Sequence, residues 1–393
     1  MKQKKLQDSW MFKISLLSIS IFLMMAPAIA PALPLMYNAF PGVNKAGVET
    51  LSTVPNIGIV IGLLISPFLI KLMGQKATIL TGLIVTLLAG TFPMYSSVYT
   101  LILISRALLG FGIGLFNSLA VSLIPQFYSK DEDELATMVG YQNVMGAVGA
   151  AIAAFLISWL ITISWHAAFA IYFLVVPVLI LFAIYVPLPR EEQSAVAAND
   201  KAKPKQHING QVVKIAIFMF FIYLFYMTIT FKQPALIVQE HLETVSELSV
   251  LSGIMNLVAI PVGALFGFFF KRIHDKIFPI GFLLVALGFL IIALSPNFIV
   301  LTVGNFVLGT GFGLSIPYMY NWLDWAAPRG SVNLATTIVL VLINVGCAVS
   351  PMVMNAISTS AKMDLLITGI FFACFTVYAL CHYFNVHKSA KNK

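Results

Sequence analysis

Charge is what this chain has least of: Asp, Glu, Lys and Arg make up only 10% of its 393 residues, and no acidic residue falls in the middle of an apolar segment. Hydrophobic residues make up 60%, and a mean hydropathy of +0.94 excludes a water-soluble domain of this length. Cysteine is nearly absent as well. Cys347, Cys374 and Cys381 all lie in the last two apolar segments, without metal-ligand or paired spacing, and read as buried thiols. His-Glu-x-x-His, Gly-x-Ser-x-Gly and clusters of His with carboxylates inside the membrane are missing. A membrane enzyme is therefore not expected, and neither a cofactor nor a metal is called for. His166 follows Trp165 and reads as an interfacial residue.

What the chain does have is apolar runs of bilayer-crossing length from end to end. Twelve spans are expected, at 13–37, 50–70, 77–97, 99–126, 136–162, 167–188, 213–237, 248–270, 277–294, 299–323, 333–356 and 364–385. The first resembles a signal peptide, with Ala28-Ile29-Ala30 as a cleavage triplet, but Pro31 disfavours cleavage and the segment counts as a span. The net charge of +8 does not point to nucleic acid, because the basic residues flank the spans. With the N-terminus inside, nineteen of the 23 Lys and Arg fall on inner segments, and only Lys45, Lys232 and Lys362 on outer ones. The positive-inside rule then places both termini in the cytoplasm.

A polar, Pro-containing stretch at 190–212 reads as a cytoplasmic linker between six-helix bundles at 1–189 and 213–393. The halves repeat. At a shift of 200, Pro34 meets Pro234, Asn56 meets Asn256, Lys71 meets Lys271 and Gly146 meets Gly346. At a shift of 199, the frame Leu109-Gly110-x-Gly112-x-Gly114 meets Leu308-Gly309-x-Gly311-x-Gly313. The expected fold is thus an all-α membrane protein of twelve transmembrane helices in two pseudo-symmetric bundles. Such a plan belongs to carriers with a midplane site between the repeats, and a membrane scaffold or sensor is the competing class.

Arg106 is the basic residue well inside a span, and its place in the second repeat is held by Asn305. On a helix Arg106, Gly110 and Asn117 share a face, with Gly114 beside them. The glycines admit a neighbouring helix, whereas a phosphate-binding turn would need a preceding strand. Two readings stand for the guanidinium: it faces a cavity and binds an anion, or it hydrogen-bonds a neighbouring span and orders the helices. The polar residues expected near a cavity are Arg106, Asn117, Asn143, Tyr226, Lys232, Asn256, Tyr318, Asn321 and Asn344. Each has interhelical bonding as its plainer role. Lys232, just before Pro234, reads either as part of a broken-helix site or as a residue snorkelling to the headgroups. Glu49 and Asp324 are the nearest candidates for a proton-carrying carboxylate, each with a solvated charge at a helix end as its plainer role, and Asp364 lies near the outer start of span twelve.

Arg106-x-x-Leu109-Gly110-x-Gly112 resembles the fourth-span Arg-x-x-Gln-Gly-x-Gly motif of the major facilitator superfamily. The stretch Pro67 to Lys76 is similar to that family's Gly-x-Leu-x-Asp-Arg-x-Gly-x-Lys loop. Leu69, Gly74 and Lys76 fit, while Lys71 stands where the acidic residue belongs. The span-five stretch Gly146 to Ala151 lacks the Pro of the antiporter motif, and Gly346 with Ser350-Pro351 echoes it in the other half. The likeness spans essentially the whole chain. It is strongest to bacterial drug:proton antiporter-like groups and weaker to the cyanate and nitroimidazole branch, through Ser52-Thr53-Val54-Pro55. The resemblance implies a monomeric secondary-active transporter of the plasma membrane, surrounded by lipid and exporting a small organic compound by alternating access with proton coupling. Uptake or exchange of a small anion, with Arg106 as counter-charge, is the alternative. Lys71, Gly74 and Lys76 are implied to form a gating loop.

Overall fold

In the computed structural model, residues 9–128, 132–188, 207–328 and 331–391 are described. They fall into two units, Met1–Pro204 and Lys205–Lys393. Most of the expected linker lies outside the described residues.

Unit 1 contains six spans. They are α1 (the bent pair Trp10–Met24 and Ala26–Met36), α2 (Lys45–Met73), α3 (Gln75–Met94), α4 (Tyr99–Tyr128), α5 (Glu132–Leu160) and α6 (Ala167–Tyr185). Unit 2 contains α7 (Gly210–Gln239), α8 (Val245–Ile273), α9 (Ile277–Ala293), α10 (Phe298–Ala326), α11 (Val332–Ile357) and α12 (Ala361–Lys391). The protein is an all-helical, multi-pass membrane protein, and every described span overlaps its expected segment.

The first span departs from expectation by bending 48° between its two parts. Pro27, Pro31 and Pro34 bring no backbone N–H to the helix ladder, and Ile19–Met24 and Ala26–Ala32 wind as tighter 3-10 turns. The break exposes backbone carbonyls inside the bundle, and these need donors from other helices.

Glycines set the closest helix contacts. A side chain at Gly110 would overlap the Pro55 carbonyl of α2, and one at Gly114 the Ile59 carbonyl. A Cβ at Gly112 would lie 2.7 Å from the Gly82 carbonyl of α3. In unit 2, Gly311 meets α9 in the same way, 2.7 Å from the Gly281 carbonyl. Gly309 and Gly313, by contrast, face side chains, Met255 at 3.0 Å and Val262 at 2.9 Å. The reason lies in α2 and α8. Gly58 and Gly62 of α2 also lack side chains, whereas the positions 200 residues later are Val258 and Val262, which hold α8 off.

Hydroxyls add cross-links. Ser66 donates to the Leu115 carbonyl at 2.7 Å, and Ser350 donates to the Leu224 carbonyl at 2.6 Å. Of the cysteines only Cys347 is buried; Cys374 and Cys381 are exposed, correcting the expectation of three buried thiols. Both lie on α12, whose outward side needs only to be apolar, a condition that a thiol satisfies.

Candidate functional site

Arg106 is wholly buried on α4. Its Nε donates to the Leu51 carbonyl of α2 at 2.9 Å, its Nη1 to the Tyr172 hydroxyl of α6 at 2.7 Å, and its Nη2 to the Ala26 carbonyl at the bend of α1. Phe169 and Tyr172 place their rings 5.8 Å and 5.7 Å from the guanidinium carbon. Burying a guanidinium without partners would cost several kcal/mol, and hydrogen bonds to a charged group each return about 1.5–3 kcal/mol. The planar fork therefore ties three helices together. Tyr172 fits because Gly90 of α3 leaves room for its ring: a Cβ at position 90 would lie 2.8 Å from the Tyr172 Cβ. Of the two sequence readings, the geometry is that of the helix-ordering one.

Three further charges, Glu49, Lys232 and Asp364, are buried. Glu49 is only 1% exposed and accepts a hydrogen bond from Tyr37 at 3.1 Å. It is not the solvated helix-end charge that was its plainer reading, because the C-terminal end of α1, with Tyr37, folds over it. Asp324 is exposed, as expected. In unit 2, Lys232 Nζ lies 3.0 Å from Asp364 Oδ2, with the two side chains 2% and 0% exposed. Lys232 also donates to Asn355 Oδ1 at 2.9 Å. The snorkelling alternative for Lys232 fails, since the ammonium points at a buried carboxylate. Asn355 is not among the residues expected from the sequence, and Asp364 is expected there only as a charge near the start of span twelve. The available signal was an opposite charge near the start of the last span, within reach of the lysine of span seven.

The remaining candidates scatter. Asn117, Asn256 and Asn321 are half-buried, and Asn344 donates to the Leu340 carbonyl of its own helix at 2.8 Å. Asn143 lies on α5, but its side chain is outside the described residues. Tyr226 stacks on Phe312 at 3.6 Å. Tyr318 donates to Asp275 at 3.0 Å and stacks on Phe278. Asn305, in the repeat position of Arg106, donates within its own helix α10, to the Leu301 carbonyl at 2.9 Å.

At the loop between α2 and α3, Gly74 takes φ 92°, a region that glycine enters without strain. Lys76 Nζ then reaches the Ala183 carbonyl at 2.7 Å, placing a cation at the C-terminal end of α6. Lys71 is exposed. His274 occupies the place of Gly74 in the second repeat, also with positive φ.

The family model for the Major Facilitator Superfamily matches residues 15–273 and 215–393. No curated protein matches the sequence. Among solved structures, a point mutant of the nucleoside transporter NupG is 13% identical with a TM-score of 0.76, covering 96% of this chain and 99% of its own. Peptide transporter POT in complex with sulfate is 12% identical with a TM-score of 0.75, at 97% and 98% coverage. The inward-open xylose transporter XylE from E. coli is 14% identical with a TM-score of 0.74, at 94% and 95%. At these identities the likeness is one of fold.

Proposed function

Since the chain belongs to the Major Facilitator Superfamily and is a transporter rather than an enzyme, we propose that it moves a small organic compound across the plasma membrane by alternating access. In this reading the protein exports its substrate in exchange for protons, works as a monomer among membrane lipids, and keeps both termini in the cytoplasm. The observation that supports proton coupling is the burial of Glu49 and Asp364 inside apolar helix bundles. A carboxylate out of water changes its charge at a cost set by its neighbours, so a conformational change that alters those neighbours also alters its proton affinity. The export direction rests on the resemblance to drug:proton antiporter-like groups. Anion uptake on Arg106 gains no support, because the guanidinium already donates to acceptors on three helices.

The test is transport in proteoliposomes over a panel of organic cations, neutral lipophiles, nucleosides, peptides, sugars and small anions, with and without an imposed pH gradient. Gradient-dependent flux of an organic cation or neutral lipophile is expected. Flux of an anion that ignores the gradient would replace this reading, and a panel on which nothing moves would remove the support for transport.

A further inference from the structure

The pair between α7 and α12 is more than a contact between two helices. Lys232 and Asp364 are sealed from solvent at 3.0 Å. Asn355 of α11 turns its Oδ1 to the lysine at 2.9 Å, and its Nδ2 donates to the Pro351 carbonyl at 2.8 Å. That second bond fixes which way the amide faces. The lysine thus has a charged acceptor and a neutral one.

The helices packed around the pair bring little further charge. Neither α9 nor α11 carries an Asp, Glu, Lys, Arg or His. On α8 the nearest charge toward this end is Glu247, which is exposed, and Lys362 of α12 meets Glu240 at 4.0 Å with both side chains 45% exposed. A buried ion pair contributes little net stability compared with apolar side chains of similar volume. Ionisable groups kept inside a membrane bundle are costly and either brace helices, as Arg106 does, or serve ion and proton sites.

We propose that Asp364 is a proton-binding site and that its protonation releases Lys232 onto Asn355. The step balances simply: a carboxylate oxygen of Asp364 takes one proton from water and becomes a neutral acid. Lys232 keeps its own proton, and the pair passes from net zero charge to +1. Asn355 makes the second state accessible, since the ammonium retains an acceptor when the carboxylate is neutralised. Asp364 lies three residues into α12, which begins at Ala361, or roughly 5 Å along the axis, so the proton has a short route from that end. The added charge favours any arrangement in which Lys232 is better hydrated, which is how proton binding would be felt by the helices. This deepens the proton-coupled reading and takes its physiological role from it, yet the site can be measured without a substrate.

The experiment is infrared difference spectroscopy of the full-length protein in lipid nanodiscs, stepped between about pH 4 and pH 9, a range chosen to bracket a carboxyl shifted by burial. A protonated-carboxyl C=O band is expected in the wild type, absent in Asp364→Asn and displaced in Asp364→Glu. Lys232→Met should raise its midpoint by about one to three pH units, because an adjacent cation favours the ionised form. A band unchanged in Asp364→Asn, or no such band in the wild type, would overturn the proposal and leave a permanently ionised brace. Should Asp364→Asn fail to fold, the displacement in Asp364→Glu and the Lys232→Met midpoint decide alone, and spectra identical to wild type in both would overturn it. A titrating Asp364 in a protein whose flux ignores the pH gradient would remove the coupled-transport reading and keep the proton site. Gradient-driven flux with Asp364 silent would do the reverse.

Discussion

Arg106 donates to the Tyr172 hydroxyl at 2.7 Å, and both side chains are fully buried. Tyr172 in turn reaches the Met25 carbonyl at 3.5 Å, next to the Ala26 carbonyl that Arg106 itself takes. The two residues together hold the bend of α1. Lys at 106 keeps the charge but loses the planar fork, so it cannot satisfy Leu51, Tyr172 and Ala26 at once. Arg106→Lys should therefore lose about 2–4 kcal/mol of stability, and Tyr172→Phe about 1.5–3 kcal/mol, because a buried charged donor is left without its acceptor. Thermal unfolding in detergent checks both. An Arg106→Lys protein as stable as the wild type would show that the fork is not needed.

Tyr37 gives Glu49 a hydrogen bond inside unit 1. Removing a donor from a buried carboxylate costs more than removing the carboxylate's charge, since the charge stays behind with less solvation. Tyr37→Phe should destabilise by about 1–3 kcal/mol, and Tyr37→Phe combined with Glu49→Gln should recover part of that loss. Unfolding of the two single variants and the double variant forms the cycle. Strict additivity would mean that the contact is not energetically coupled.

The helices were legible because a span must be long and apolar wherever it lies, and the glycine frame was legible because small residues recur at fixed spacing. The partners of the charges were not. Arg106 meets residues 80 positions before it and 66 after it, distances over which a single sequence carries no pairing signal. Glu49 looked solvated because it stands at a helix start, and only the fold of α1 over α2 buries it. Lys232 and Asp364 were both visible as rim charges, but whether a charge near a helix end turns outward or inward depends on packing that periodicity does not encode. The bend of α1 has its cause in three prolines, though 13–37 reads as one span in the sequence, and the bend gives Arg106 the Ala26 carbonyl as an acceptor.

His166 stacks on Trp165 at 3.5 Å and meets Ser97 at 3.0 Å through Nε2. Partial burial pushes its pKa below the usual histidine value. The fold therefore favours the neutral ring: its contribution is present above about pH 6.5, the unfolded value, and is lost as pH falls through the lower folded pKa. A tryptophan-fluorescence titration, taken as the difference between the wild type and Trp165→Phe, should show a midpoint below about 6.5. A midpoint at or above that value would mean the stack does not hold the ring neutral.

Gly110 and Gly309 hold equivalent places in the two repeats but meet different surfaces. A methyl at 110 would run into the Pro55 backbone of α2, which can move only by displacing the helix. At 309 it would meet the terminal methyl of Met255 at 3.0 Å, the far end of a flexible side chain. Alanine also favours the helix by about 1 kcal/mol over glycine, a gain available at both positions. Gly110→Ala should thus lose about 1–3 kcal/mol through overpacking, whereas Gly309→Ala should fall between neutral and mildly stabilising. Gly140→Ala, where no atom lies within 4 Å of the added methyl, supplies the helix-propensity reference. Unfolding temperatures of the three variants separate the terms. Equal losses at 110 and 309 would mean that the valines of α8 do not loosen the second repeat.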